Sequence, residues 1–265
     1  MPRFCANLSL LFVEHPLEQR FQAAAAAGFD EVEIQFPYPI EPQQLVELLS
    51  RNSQQLVLFN LPAGDWDAGE RGIACLPNRE QEFIDGVEQA LIYAAATGCR
   101  QINCLAGVRP DSLSDDSAMQ IMAERCRYAA KRLGQQGINL NIEAINSYDI
   151  PGFLINNSAK ARALLDRIGA DNVRLQYDLY HMQRMEAPIM PRLAELMPII
   201  GHIQVADHPG RHEPGTGEMD YPALLAELDR LGYTGRVALE YNPKQSTLAG
   251  LDWLNPYRRD QGSTV

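Results

Sequence analysis

Apolar and polar positions along this chain follow two rhythms. Apolar residues spaced by three and four mark amphipathic helices: Leu17, Phe21, Ala24 and Ala25 share one face, as do Leu224, Leu225, Leu228 and Leu231. Between such stretches lie short β-rich runs. The order recurs: a helical stretch closes, often at Gly, and a β run follows within a few residues, as in "AAAAAGFDEVEIQF", "LGQQGINLNIEAIN" and "LDRLGYTGRVALEY". Gly28, Gly98, Gly137, Gly169 and Gly232 suit the left-handed cap that ends a helix. β runs are expected near 3–12, 31–36, 56–61, 101–107, 138–146, 173–179, 199–206 and 236–241. Helices are expected near 16–27, 41–52, 78–97, 116–136, 158–168, 190–197 and 221–231, with only a short piece after Thr247 to serve as an eighth.

This alternation over 265 residues predicts an α/β protein with one domain, 1–265, folded as a (β/α)8 TIM barrel, with a short C-terminal tail from about 256. An open doubly wound sheet is the alternative. Against it, no Gly-x-Gly-x-x-Gly follows the first β run and there is no phosphate loop. The longest irregular segments, 60–77, 107–115, 145–157, 180–189 and 207–220, mostly follow strands. In a barrel those loops form the catalytic face.

One stretch breaks the apolar pattern. "INLNIEAIN", Ile138 to Asn146, places a carboxylate, Glu143, in an otherwise buried run. In a barrel strand one side-chain phase meets the helices and the other meets the axis. Ile138, Leu140, Ile142 and Ala144 form the helix-facing phase, so Asn139, Asn141 and Glu143 face inward. The next three runs behave alike. Arg174, Gln176 and Asp178 alternate with Val173, Leu175, Tyr177 and Leu179; His202 and Gln204 alternate with Ile203 and Val205; Ala238 and Glu240 alternate with Val237, Leu239 and Tyr241. Four consecutive strands thus aim Glu143, Asp178, Gln204 and Glu240 at the axis near their C-terminal ends. Three convergent carboxylates without a counter-charge would raise one another's pKa sharply. A divalent cation resolves this, and an oxygen-rich set suits Mg²⁺ or Mn²⁺. The plainer alternative gives each acid a private arginine or amide partner.

Composition narrows the function. Hydrophobic content of 46% and charged content of 22% are ordinary for a water-soluble globular protein. A net charge of −11 argues against a nucleic-acid footprint and against an anionic membrane surface. The odd count of five cysteines, none in Cys-x-x-Cys spacing, predicts buried thiols in a reducing cytoplasm. No run approaches a membrane span, and "LSLLFV" is too short for a signal-peptide core.

Longer motifs carry a resemblance. "FNLPAGDWDAGERGIACLPNREQEF" (59–83), "IEAINSYDIPGF" (142–153), "QYDLYHMQRME" (176–186) and "HEPGTGEMDY" (212–221) are similar to signatures of the hydroxypyruvate isomerase family, within the xylose-isomerase-like barrel superfamily. The resemblance spans essentially the whole chain. It implies a metal held at Glu143, Asp178, Gln204 and Glu240, and it implies that Glu143 and Glu240 act as proton donor and acceptor. Similar proteins commonly carry Lys directly after the Glu-Tyr of strand eight, where this chain has Asn242, with Lys244 two positions on.

The implied reaction interconverts hydroxypyruvate and 2-hydroxy-3-oxopropanoate (tartronate semialdehyde), a small anionic substrate that needs a cationic partner. Arg211 in "DHPGRHEPG" is the first candidate, because a guanidinium binds a carboxylate bidentately. Arg71 in "GERGIAC" is the second. A solvated loop arginine and a loop salt bridge are their respective alternatives. His181, three residues after Asp178, is a candidate to hydrogen-bond a substrate oxygen, Trp66 to cover the site and Asn7 to line it. His202, inward below Gln204, reads as a polar core residue.

Three rivals remain in view. A related sugar-acid or ketose isomerase or epimerase, such as a 2-oxotetronate isomerase, would use the same metal and acid–base pair. A metal-dependent endonuclease on this barrel wants many His ligands and a basic groove, which five histidines and a charge of −11 do not supply. A noncatalytic sugar-binding barrel would not need three convergent carboxylates. Oligomeric state is left open, a homo-oligomer included.

Overall fold

The computed structural model describes residues 2–257, so most of the tail expected from about 256 lies outside the described residues. Eight strands, β1 (Arg3–Asn7), β2 (Glu31–Ile34), β3 (Gln55–Asn60), β4 (Gln101–Cys104), β5 (Asn139–Glu143), β6 (Val173–Asp178), β7 (Ile200–Val205) and β8 (Arg236–Leu239), pair in sequence order and close into a barrel. Every neighbouring pair is parallel, β1 with β8 included. Parallel neighbours need crossovers, and helices supply them. These are α1 (Leu17–Ala26), α2 (Pro42–Arg51), α3 (Glu80–Thr97), α4 (Asp115–Gly134), α5 (Ser158–Ile168), α6 (Leu179–Glu186), α7 (Ile189–Leu196) and α8 (Tyr221–Arg230). A 3-10 helix, Leu248–Tyr257, occupies the place of a helix after β8.

Local chemistry sets the helix ends. Ser114, Asn157 and Asp220 cap α4, α5 and α8 by accepting from backbone N–H groups at Ser117, Lys160 and Ala223. The five glycines expected after helices all take a left-handed backbone, with φ between 66° and 89°. The helix-facing phase of the strands, including Leu140, Ile142, Leu175, Tyr177, Ile203, Val205, Val237 and Leu239, is buried against Ala130, Leu133, Leu164, Leu193 and Leu224. Truncating one such side chain, Ile142→Ala for example, would cost about 2–5 kcal/mol.

Two expectations need correction. The first β run ends at Asn7, not near 12. The Asn7 carbonyl accepts from the N–H groups of Leu10 and Leu11, which turns the chain, and Leu8, Leu11 and Phe12 are buried inside the loop that follows. An apolar run is thus loop core here. The segment 180–189 is not irregular: α6 starts directly where β6 stops. Its first N–H groups, on Tyr180 and His181, are taken by Asp178 Oδ1 at 2.8 and 3.4 Å. An acid read only as an inward oxygen is also the helix cap.

The β6–β7 register slips by one residue, so that Leu175 pairs with Ile200 but Gln176 with His202. Gly201 sits at the slip. A Cβ there would lie 2.6 Å from the Cβ of Arg174 and 2.7 Å from Asn141 Oδ1, so only glycine fits. The slip sets His202 and Gln204 opposite Gln176 and Asp178. No helix among the described residues is long and apolar enough to cross a membrane.

Candidate active site at the mouth of the barrel

Glu143 and Asp178 are the last residues of β5 and β6, Gln204 is next to last in β7, and Glu240 directly follows β8. All four are buried at the C-terminal mouth of the barrel. Hydrogen bonds crossing the axis show that this phase faces inward. Gln204 and His202 on β7 both reach Glu33 on β2, although β8 and β1 lie between those strands.

Amides join the acids into one network. Gln176 Nε2 donates to Glu143 Oε2 at 3.1 Å and to Gln204 Oε1 at 2.7 Å. Asn103 Nδ2 donates to Glu143 Oε2 at 3.0 Å. Asn7 Nδ2 and Gln35 Nε2 donate to Glu240 Oε1 at 3.1 and 2.9 Å. Arg211 Nη2 lies 2.6 Å from Glu240 Oε2 and 3.7 Å from Asp178 Oδ2. The structure therefore contains amide and arginine partners of the kind that compete with the metal reading.

Those partners do not neutralise the site. Burial, then Glu240 and Asp178, push the Glu143 carboxyl well above the ordinary range. Burial also raises Asp178 and outweighs the lowering by Arg211. Burial pushes Glu240 up to about 7 against the same arginine, with Asp178 and Glu33 adding to the rise. Asp178 Oδ2 is buried and accepts no hydrogen bond. Glu143, Asp178 and His181 each offer an atom within 4.8 Å of the others. An orphaned Asp178 oxygen in a buried cluster with Glu143 and His181 fits a hard divalent cation, which takes oxygen ligands.

His181 has a defined tautomer. Asn146 Oδ1 accepts from the backbone N–H groups of Tyr148 and Asp149 at 3.1 and 2.9 Å, so its NH₂ must face His181 Nδ1, 2.6 Å away. Nδ1 is then the acceptor and Nε2 carries the proton. Nε2 lies 3.5 Å from Asp178 Oδ2 and 3.8 Å from Glu143 Oε1. Burial first, then Arg211 and Arg184, hold the His181 pKa well below its ordinary value, so the ring is a neutral donor.

Arg211 stands on a loop built around Asp207. The Asp207 carboxylate accepts from the N–H groups of His208, Gly215, Gly217 and Met219 at 2.8–3.1 Å. Arg211 itself has φ 57°, a backbone region costly for a residue with a Cβ. A quarter of its side chain, 24%, stays accessible, and its Nε is buried without a hydrogen-bond partner. The side chain turns into the barrel mouth and is not a solvated loop arginine.

The other candidates separate. Asn7 joins the network directly. Arg71 and Trp66 do not: Arg71 stacks on the Trp66 ring at 4.1 Å and donates to the carbonyls of Trp66 and Glu70. Trp66 packs on Phe36 at 5.1 Å and remains 39% exposed. The two residues pack together in the loop that follows β3. Asn242 and Lys244 are exposed, and the Asn242 N–H donates to the Arg211 carbonyl.

Glu33, Gln35, Asn103 and Asn146 are missing from the sequence reading. The inward phase of the last four strands does not include them. In the run 31–36 the same alternation marks Glu31, Glu33 and Gln35 against Val32 and Ile34. Asn146 carries no comparable signal, because its role depends on a loop folding back on α6.

A closed barrel with an acidic mouth of this kind defines a class: the family described as xylose isomerase-like TIM barrel matches residues 21–257. The chain is 47% identical over 258 residues to the hydroxypyruvate isomerase of Escherichia coli (strain K12), covering 97% of this chain and 100% of that protein. It is 42% identical to a 2-oxo-tetronate isomerase of Cupriavidus necator, covering 97% and 99%. A crystal structure described as AP endonuclease, family 2, from Brucella melitensis superposes with a TM-score of 0.95 at 42% identity, covering 98% of this chain and 100% of that one. The chain belongs to the hydroxypyruvate isomerase family of xylose isomerase-like TIM barrels.

Proposed function

We propose that this isomerase interconverts hydroxypyruvate and 2-hydroxy-3-oxopropanoate. The observation that carries the reading is the pairing of two buried acids with raised pKa, Glu143 and Glu240, on non-adjacent strands of one mouth, with Arg211 beside them. The hydroxypyruvate isomerase at 47% identity supports the substrate.

The reaction moves hydrogen between neighbouring carbons. One carboxylate takes a proton from the hydroxymethyl carbon, C3. The other carboxyl delivers a proton to C2, the former carbonyl carbon, while the hydroxyl proton passes from O3 to O2. An acid near 7, as at Glu240, is suited to both holding and releasing a proton at neutral pH. Microscopic reversibility exchanges the two roles in the reverse direction. The neutral His181 presents Nε2–H as a donor to a substrate oxygen. The guanidinium of Arg211, on a side chain that stays 24% accessible, receives the substrate carboxylate. Mg²⁺ or Mn²⁺, held by Glu143, Asp178, Gln204 and Glu240, would stabilise the negative charge developing on the two adjacent substrate oxygens.

The substrate in this reading is a small anionic keto acid, and the net charge of −11 argues against a nucleic-acid partner. Five free, buried cysteines support a reducing compartment such as the cytoplasm. A second reading, 2-oxo-tetronate isomerisation, rests on the relative at 42% identity. A coupled assay on both substrates, with and without EDTA, tests the proposal. Turnover of hydroxypyruvate that EDTA abolishes and Mg²⁺ or Mn²⁺ restores is expected. Turnover of 2-oxo-tetronate alone would transfer the assignment, and full activity after chelation would remove the metal.

A further inference from the structure

Glu33 is a fully buried carboxylate that the chemistry above does not use. It lies on β2, across the barrel from Gln204. Its Oε1 accepts from Asn7 Nδ2 at 2.7 Å and from Gln204 Nε2 at 2.9 Å, and its Oε2 pairs with His202 Nε2 at 2.7 Å. We propose that Glu33 is a positioning residue that makes Gln204 a metal ligand, by fixing which end of its amide faces the acids. The inference rests on the metal reading of Glu143, Asp178, Gln204 and Glu240.

Donor and acceptor capacity decides the orientation. A glutamine amide has two ends of nearly equal shape: the oxygen binds a hard cation, and the NH₂ cannot. Glutamate and aspartate ligands have no such ambiguity, so among the four residues only Gln204 needs orienting. The Ser9 N–H occupies Asn7 Oδ1, so Asn7 turns its NH₂ to Glu33 Oε1; that oxygen is an acceptor, and the end of Gln204 that touches it is NH₂. That leaves Gln204 Oε1 on the other side. There it already accepts from Gln176 Nε2, whose same nitrogen reaches Glu143. A carbonyl oxygen has two acceptor sites, and one remains for a cation. Asn7 couples the same carboxylate to Glu240, so Glu33 braces two of the four residues. Outer partners of this kind typically change metal affinity by about 10–100-fold when removed.

The test titrates Mn²⁺ into the full-length protein, reading free Mn²⁺ by its electron paramagnetic resonance signal. Glu33→Leu removes the acceptor that holds the Gln204 NH₂, so the amide is free to turn. Its Mn²⁺ dissociation constant should rise by roughly tenfold or more. The double variant E33L/Q204E removes the ambiguity, because a carboxylate at position 204 offers oxygen whichever way it turns. The double variant should recover parental affinity within about threefold, a range well inside the tenfold loss expected of Glu33→Leu. Parental affinity in Glu33→Leu would overturn the assignment, as would a double variant no better than the single one. If Glu33→Leu does not fold, the double variant decides alone. If neither folds, Glu33 holds the barrel and not the ligand, and the assignment falls. A parent protein that takes up no Mn²⁺ would instead overturn the metal reading itself.

Discussion

Arg211 Nη2 lies 2.6 Å from Glu240 Oε2, so a loop residue after β7 is locked onto the acid that directly follows β8. In that loop the Asp207 carboxylate gathers four backbone N–H groups, and Arg211 takes a left-handed conformation. The clasped loop delivers a cation to a fixed position.

Arg211→Ala should raise KM for the anionic substrate by roughly 10–100-fold, the equivalent of a charge-assisted hydrogen bond of about 1.5–3 kcal/mol. Arg211→Lys should recover only part of this, because an ammonium lacks the planar fork. Steady-state kinetics check both. An unchanged KM in Arg211→Ala would remove Arg211 from the substrate site.

Asp207→Ala should act on stability and binding together. It leaves the N–H groups of His208, Gly215, Gly217 and Met219 without their acceptor and frees the loop that presents Arg211. A loss of about 3 kcal/mol is expected by urea denaturation, as for buried donors left unpaired. KM should rise with it. A stable variant with parental KM would show that the loop does not need its clasp.

Glu143→Gln and Glu240→Gln should each lower kcat by at least about a hundredfold, the usual share of a general acid or base. Each should also lose exchange of substrate hydrogen with deuterated water. Exchange at the parental rate in either variant is incompatible with the paired-acid mechanism.

The raised acids set a pH dependence for the metal-free chain. Folding lifts Glu240 from 4.5 to about 7, so the folded state keeps a proton that the unfolded state has released. Its stabilising contribution is complete below about 4.5 and is lost as pH rises through about 7. Glu143 and Asp178, also raised, act in the same direction. The acids held low by their partners, such as Glu70 and Asp149, lose their contribution only as pH falls below the ordinary carboxylate range, so the windows are separate. Calorimetry of EDTA-treated protein should show Tm falling between about 4.5 and about 7. Mg²⁺ or Mn²⁺ should restore more stability at the upper end, where the acids are ionised. A Tm that rises across this window would contradict the raised pKa values.

The barrel was legible in sequence because its information is local. A β period of two and a helical period near 3.6, punctuated by glycines that need positive φ, define each element from its own residues. The same period of two separated Glu143, Asp178, Gln204 and Glu240 from their apolar neighbours. It carried Glu33 as well, in a run too short and too acidic to stand out alone. The helix α6 was hidden because Asp178 serves two elements at once, ending a strand and capping a helix.

What sequence alone determined was therefore the parity of each strand residue, inward or outward, since the pleat imposes it. Tertiary structure decided the partners. Whether Arg211 met solvent or Glu240, and which end of the Gln204 amide turned toward the acids, depended on residues far away in the chain. Those contacts form only once the barrel closes and brings β2 opposite β7. No periodicity along the chain encodes a distance across the axis.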